Sequence, residues 1–315
     1  MSTASSVPVG FGDAFLETTF IGAFLLFALY GCTLGQTVHY YSRYKKDDLE
    51  LKILVAILLV IDSAKVAAGA DILYYYIVTN HQDPYSIGGL PSAYTIIAIL
   101  GMITVLISQC FYLRTIHSVW TRRRKTYRVA VVIPGHYWDW VCSHFLLWTL
   151  FSLITIDSLA TGIVWITELN LHNVDTDALK GISARTGVVQ LATNIATDLY
   201  ITVALSWILH DFHSAVETRG LLRSHDSNLG AIVSRLFAYS ASRGALLLVL
   251  QVIEITINLL DDEHQTYLTN IVWLPQSTVY CNSVLAALNV RQHVRESSTA
   301  PSLFSWSTRR SQSTI

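Results

Sequence analysis

Charge is what this chain has least of. Only 14% of its 315 residues are Asp, Glu, Lys or Arg, against about 25% in a typical soluble domain. The 21 basic and 22 acidic residues nearly cancel to a net −1, which argues against nucleic acid as a partner. Cysteine is scarce as well. All four (Cys32, Cys110, Cys142 and Cys281) fall in or at the ends of apolar stretches. The outer loops have none, so no disulfide framework braces an outer face. No Asn-x-Ser/Thr acceptor occurs. No His/Cys/Asp/Glu set has the spacing of a metal site. Nucleophile elbows, Gly-rich phosphate loops and kinase motifs are missing too. The expectation is a protein that is no enzyme and needs no cofactor or metal.

Apolar residues fill the space that charge leaves, at 52% of the chain. They gather in seven stretches near Phe15–Val38, Leu51–Val78, Tyr94–Leu113, Phe145–Ile166, Gly187–Leu209, Leu236–Leu260 and Tyr267–Val290. Crossing a bilayer takes about 20 mostly apolar residues. Hydrocarbon offers no hydrogen bonds, so each stretch must satisfy its own backbone as a helix. The predicted fold is all-α: an integral membrane bundle of seven transmembrane helices over residues 15–290, with the lipid bilayer as its partner. The opening MSTASSVPVGFGD has no Lys or Arg, unlike the basic start of a cleavable signal peptide, so the first stretch reads as a retained span.

The basic residues orient this bundle, because Lys and Arg collect on the cytoplasmic side. One side has Arg43, Lys45, Lys46 and Lys52, then Arg122, Arg123, Arg124, Lys125 and Arg128 in the loop after the third span. The same side has Arg219, Arg223, Arg291, Arg295, Arg309 and Arg310. The N-terminal segment and the loops Thr79–Ala93 and Asp261–Asn270 have none; only Lys180 and Arg185 break the pattern. Residues 1–14 are therefore expected outside and the C-terminus in the cytoplasm, with the plasma membrane as the expected location. The Ser/Thr-rich residues 291–315 read as a disordered tail. Trp138, Trp140 and Tyr137 suit an interfacial belt before the fourth span. The segment His213–Ser234 reads as an amphipathic helix on the inner leaflet, or as an extension of the sixth span.

Charges at membrane depth each need a partner or water. The second span carries Asp62, Lys65 and Asp71. Asp62 and Lys65 share a helix face at i,i+3, so an ion relay and a structural ion pair are both open readings. The fifth span carries Gln190, Asn194, Asp198, Thr202 and Ser206, one every four residues. At about 100° per residue they form a slowly drifting stripe, expected to face inward as a cavity lining or as interhelical glue. In the sixth span stand Arg243, Gln251 and Glu254. Arg243 is expected to snorkel or to pair with Asp198, and Glu254, near the outer end, to reach water. Asp157 stands alone in the fourth span. The expected interior network is Asp62, Lys65, Asp71, Gln190, Asn194, Asp198, Thr202 and Arg243. In it and around it, carboxylates outnumber cations.

The last span ends in Tyr280-Cys-Asn282-Ser283-Val-Leu285-Ala-Ala-Leu288-Asn289-Val-Arg291. This resembles the Y-x-N-S-L-L-A-x-L-N-x-R ending of a fungal family of seven-helix membrane proteins, domain of unknown function 6534. The second span, with its Asp and its Tyr74-Tyr75-Tyr76-Ile-Val-Thr79-Asn80 ending, is similar to that family's, as is Gln109-Cys-Phe111-Tyr-Leu-Arg114. Asp198 falls where the family usually has Asp. The resemblance implies fold and membrane location; the family's activity is itself unknown. Two functions then compete. One is a receptor-like sensor with a cytoplasmic signalling partner, although neither N-P-x-x-Y nor D-R-Y occurs. The other is a transporter or channel for a small solute or cation. A retinal photoreceptor is excluded, because Tyr267–Val290 has no lysine for a Schiff base.

Overall fold

The computed structural model describes residues 11–79, 91–127, 160, 163, 164, 167, 188–207, 244–260 and 268–299. Every regular element among them is helical. We label them α1 (Phe11–Arg43), α2 (Leu49–Tyr74), α3 (Ser92–Tyr127), α4 (Val188–Trp207), α5 (Gly244–Leu260) and α6 (Thr269–Thr299). A π-helical turn, Tyr75–Thr79, continues α2. Four of these helices are long and apolar enough to cross a membrane: α1, α2 with its π turn, α3 as far as Ile116, and α4. Most of the expected fourth span lies outside the described residues. Within it residues 160, 163 and 164 are helical, and just beyond it the Thr167 hydroxyl donates to the Ile163 carbonyl one turn back, at 2.7 Å.

Two helices run further than expected. α3 continues through Arg122–Lys125 to Tyr127, so that basic run sits on a helix and not in a loop. Arg and Lys are good helix formers, and no Gly or Pro interrupts before Pro134. α6 likewise continues past Arg291 to Thr299, through Val-Arg-Gln-His-Val-Arg-Glu, where no helix breaker occurs.

Hydrogen bonds fix the helix directions. Asn282 donates its amide to the Leu29 carbonyl at 3.0 Å, and Asn289 donates to that of Gln36 at 2.9 Å. Both partners advance by seven residues, so α1 and α6 are parallel. The Thr33–Asp62 and Tyr41–Lys52 bonds set α1 against α2 in opposite directions. Tyr94 stacks on Trp273 and Tyr112 donates to the Ser283 carbonyl, which makes α3 parallel to α6. Gln251–Tyr280 together with Glu254–Gln276 runs α5 antiparallel to α6, and Gln251–Asp198 together with the Gly244–Thr202 approach runs it antiparallel to α4, so α4 and α6 are parallel. Thus α1, α3, α4 and α6 point one way, and α2 and α5 the other.

α6 is the centre. From Thr269 to Val290 it has no exposed residue, whereas each of α1 to α5 has an exposed apolar side. α6 is therefore free to be polar: its Gln, Ser, Thr and Asn side chains meet helices and not hydrocarbon. Outward stand Phe20, Phe24, Ile57, Val60, Val203 and Val252, while Asp62, Lys65, Asp198, Gln251 and Glu254 are inside. Polar inside and apolar outside is the arrangement of a protein whose solvent is lipid, and it is consistent with a membrane protein.

Along the bundle the core has three layers. At one end Tyr40, Tyr44, Leu58, Tyr112, Leu205 and Leu288 cluster. At the other end Phe15, Ile72, Tyr76, Tyr94 and Leu274 cluster. The polar side chains lie between. Glycine permits the tightest approaches. A methyl group on Gly22 would run into the Asn270 carbonyl of α6, and one on Gly244 into the Thr202 side chain of α4.

Candidate functional site

The polar layer is built around five consecutive residues of α6, from Gln276 to Tyr280. Helical geometry turns successive side chains by about 100°, so the run serves several neighbours at once.

The first cluster joins α1, α2 and α6. Asp62 and Lys65 are both 0% exposed and pair at 2.8 Å within α2. Asp62 Oδ2 accepts from the Thr33 hydroxyl at 2.7 Å, and its Oδ1 from the Thr278 hydroxyl at 2.7 Å. Lys65 Nζ also donates to Ser277 at 2.9 Å and to Thr278 at 3.1 Å. An ammonium has three donors, and all three are used. Nothing in this pair is left for a ligand.

The second cluster joins α4, α5 and α6. Asp198, 2% exposed, accepts on Oδ2 from the Gln251 amide at 2.7 Å and from the Tyr280 hydroxyl. The Gln251 amide nitrogen also reaches the Tyr280 oxygen at 2.6 Å. Gln251 is fully buried, yet no donor meets its Oε1. One turn further along α5, Glu254 accepts from the Gln276 amide and is 5% exposed. It is therefore buried among helices, although its place near the span end suggested contact with water. Taking a carboxylate out of water costs several kcal/mol unless a partner compensates, and a neutral amide compensates only in part.

The structure treats the other sequence candidates differently. Asp71 is exposed and apart from the Asp62–Lys65 pair. Of the fifth-span stripe, Asp198 alone is fully buried; Gln190, Asn194, Thr202 and Ser206 are half-buried. A repeat of four falls short of the 3.6-residue turn, so the ends of the stripe drift to the flanks. The buried face of α4 is instead Leu191, Thr197, Asp198, Ile201 and Leu205. Thr202 donates to the Asp198 carbonyl at 2.7 Å, bonding its own helix. Arg243, Asp157, the interfacial aromatics before the fourth span and His213–Ser234 lie outside the described residues, as does the side chain of Arg291.

The signature of the last span is largely connective. Asn282 and Asn289 tie α6 to the α1 backbone, and the Tyr44 hydroxyl donates to the Asn289 carbonyl at 2.6 Å. Ser283 bonds back to Tyr280 at 2.7 Å. Tyr280 alone reaches an acid. Thr33, Gln276, Ser277 and Thr278 were not expected. The signal for the last three was present in the sequence as a polar run inside an otherwise apolar span.

Residues 194–293 match DUF6534, a family of unknown function. The DUF6534 match takes in Asp198, Gln251, Glu254, Gln276 and Tyr280, hence the whole of the second cluster. Of the first it takes only Ser277 and Thr278. No curated protein and no solved structure matches the chain.

Proposed function

We propose that this chain is a seven-helix sensor of the plasma membrane, non-catalytic, with its N-terminus outside and its C-terminus in the cytoplasm. In this reading Asp198, Gln251 and Tyr280 form the point at which a small ligand acts, and the basic inner surface meets a cytoplasmic signalling partner. Seven crossings are supported by helix direction. α3 and α4 run the same way, so the chain between them has to return to its starting side, and Phe145–Ile166 is the apolar length available for that return. The orientation is supported by the Lys/Arg asymmetry.

One observation carries the choice of sensor over carrier. Asp62, Lys65, Asp198 and Glu254 are buried and bonded side chain to side chain through one helix, α6, which has no exposed residue from Thr269 to Val290. A closed interior fits a device that changes shape better than a path that conducts. The rival reading, a carrier or channel for a small cation, is favoured by one feature: buried acids outnumber buried cations among the described residues.

Reconstitution separates the two. Purified protein in liposomes, loaded with a pH dye or with sodium or potassium, should dissipate no gradient faster than empty vesicles. Flux above that baseline, abolished by Asp198→Asn in a folded variant, would overturn the sensor reading and establish the carrier.

A further inference from the structure

Among the described residues, Glu254 is the buried acid with the fewest donors, a single neutral amide. Asp62 has Lys65 beside it, and Asp198 receives two strong donors. Glu254 meets the neutral Gln276 amide. No Lys, Arg or His occurs in α4, in α5, or in α6 up to Val290. Arg243 and His264, the basic residues nearest to Glu254 in the sequence, lie outside the described residues. A carboxylate at such depth needs a positive charge or a proton.

An independent observation lies one turn away on the same face of α5. Gln251 is 0% exposed, and its amide nitrogen is engaged by Asp198 and Tyr280. Its Oε1, on the same carbon, is buried without a donor. Buried acceptors are rarely left so. Among the described residues, the titratable groups bonded to Gln251 are Asp198 from α4 and Tyr280 from α6, with Glu254 one turn along α5. Both available acceptors are oxygens, and the nearby carboxylate of Asp198 adds to the negative potential.

We propose that Glu254 and the Gln251 carbonyl form a binding site for one small monovalent cation, either a proton or an alkali ion, between α5 and α6. A proton taken from water would sit on the Glu254 carboxylate and be donated to Gln251 Oε1. An alkali ion would be held by the same oxygens. Either satisfies the lone acceptor and the lone acid together. Such a site does not depend on whether the chain senses or transports.

The test is the thermal midpoint of the full chain in lipid nanodiscs, measured across pH and across sodium and potassium concentration. The wild type should show a component corresponding to one bound cation, raising the midpoint as that cation becomes more abundant. Glu254→Gln should remove that component while Asp71→Asn leaves it. A protonated-carboxyl infrared band, absent in Glu254→Gln, identifies the proton. Sodium or potassium dependence without that band identifies the alkali ion. If Glu254→Gln does not fold, Gln276→Met gives the answer. It strips the carboxylate of its amide donor, so the binding midpoint should move at least tenfold toward lower cation concentration. A wild-type midpoint indifferent to pH and to both ions, a component unchanged in Glu254→Gln, or an unmoved midpoint in Gln276→Met would each overturn the site.

Discussion

Thr278 donates its hydroxyl to Asp62 at 2.7 Å across 216 residues of sequence. Two residues on along α6, Tyr280 donates to Asp198. The two buried aspartates are therefore held by one short piece of one helix, and a shift of α6 that disturbs one must disturb the other.

The Asp62–Lys65 pair should behave as a lock. Lys65→Met leaves the Asp62 carboxylate buried without its cation, and Asp62→Asn does the converse. Each single change is expected to cost about 3–5 kcal/mol. The double variant should recover a large part of that loss, since no charge is then stranded. Denaturation in detergent or nanodiscs for the four proteins gives the cycle. If the double variant loses the sum of the singles, the pair is not coupled as its geometry implies.

The second cluster should show coupling too. Tyr280→Phe withdraws one donor from buried Asp198 and should cost about 1–3 kcal/mol. Gln251→Leu withdraws a donor to both partners. Together they should depart from additivity by about 0.5–3 kcal/mol. Strict additivity would mean that the three side chains act separately.

Two glycines of α1 make a controlled comparison. Gly22→Ala pushes a methyl group against the Asn270 backbone, which cannot move without parting α1 from α6. Overpacking of this kind costs about 1–3 kcal/mol. Gly31→Ala meets nothing within 4 Å and gains helix propensity, so it should be neutral or slightly stabilising. Equal thermal midpoints for the two variants would show that the α1–α6 seam is looser than described.

Orientation is open to a protease. In sealed cells a C-terminal tag should survive external protease and be lost only after permeabilisation. Loss of the tag from intact cells would reverse the assignment.

Much of the fold was legible because it depends on local composition. Runs such as Leu51–Val78 announce a helix in lipid, and the structure has α2 there with its π turn. Helix ends were less legible. Residues Arg122–Lys125 and Arg291–Glu296 read as loop and tail by charge, but nothing in their backbone preferences stops a helix. Of the candidate site, Asp62, Lys65 and Asp198 stood out as charges in apolar runs. Asp71, by the same signal, belonged with them, and the structure puts it on the exposed side. Charge marks a residue as costly at membrane depth but does not say which way its helix is rotated.

The sequence alone determined that the chain makes apolar helices and which acids they carry. Transfer into hydrocarbon is additive over neighbouring residues and needs no knowledge of the rest of the chain. Only the tertiary structure decided that α6 is central, that Ser277 and Thr278 complete the Asp62–Lys65 lock, and that Gln251 bridges Asp198 to Tyr280. Those choices depend on how side chains from distant segments pack, on close approaches such as Gly22 to Asn270, and on helix rotation, none of which leaves a periodic trace in any single span.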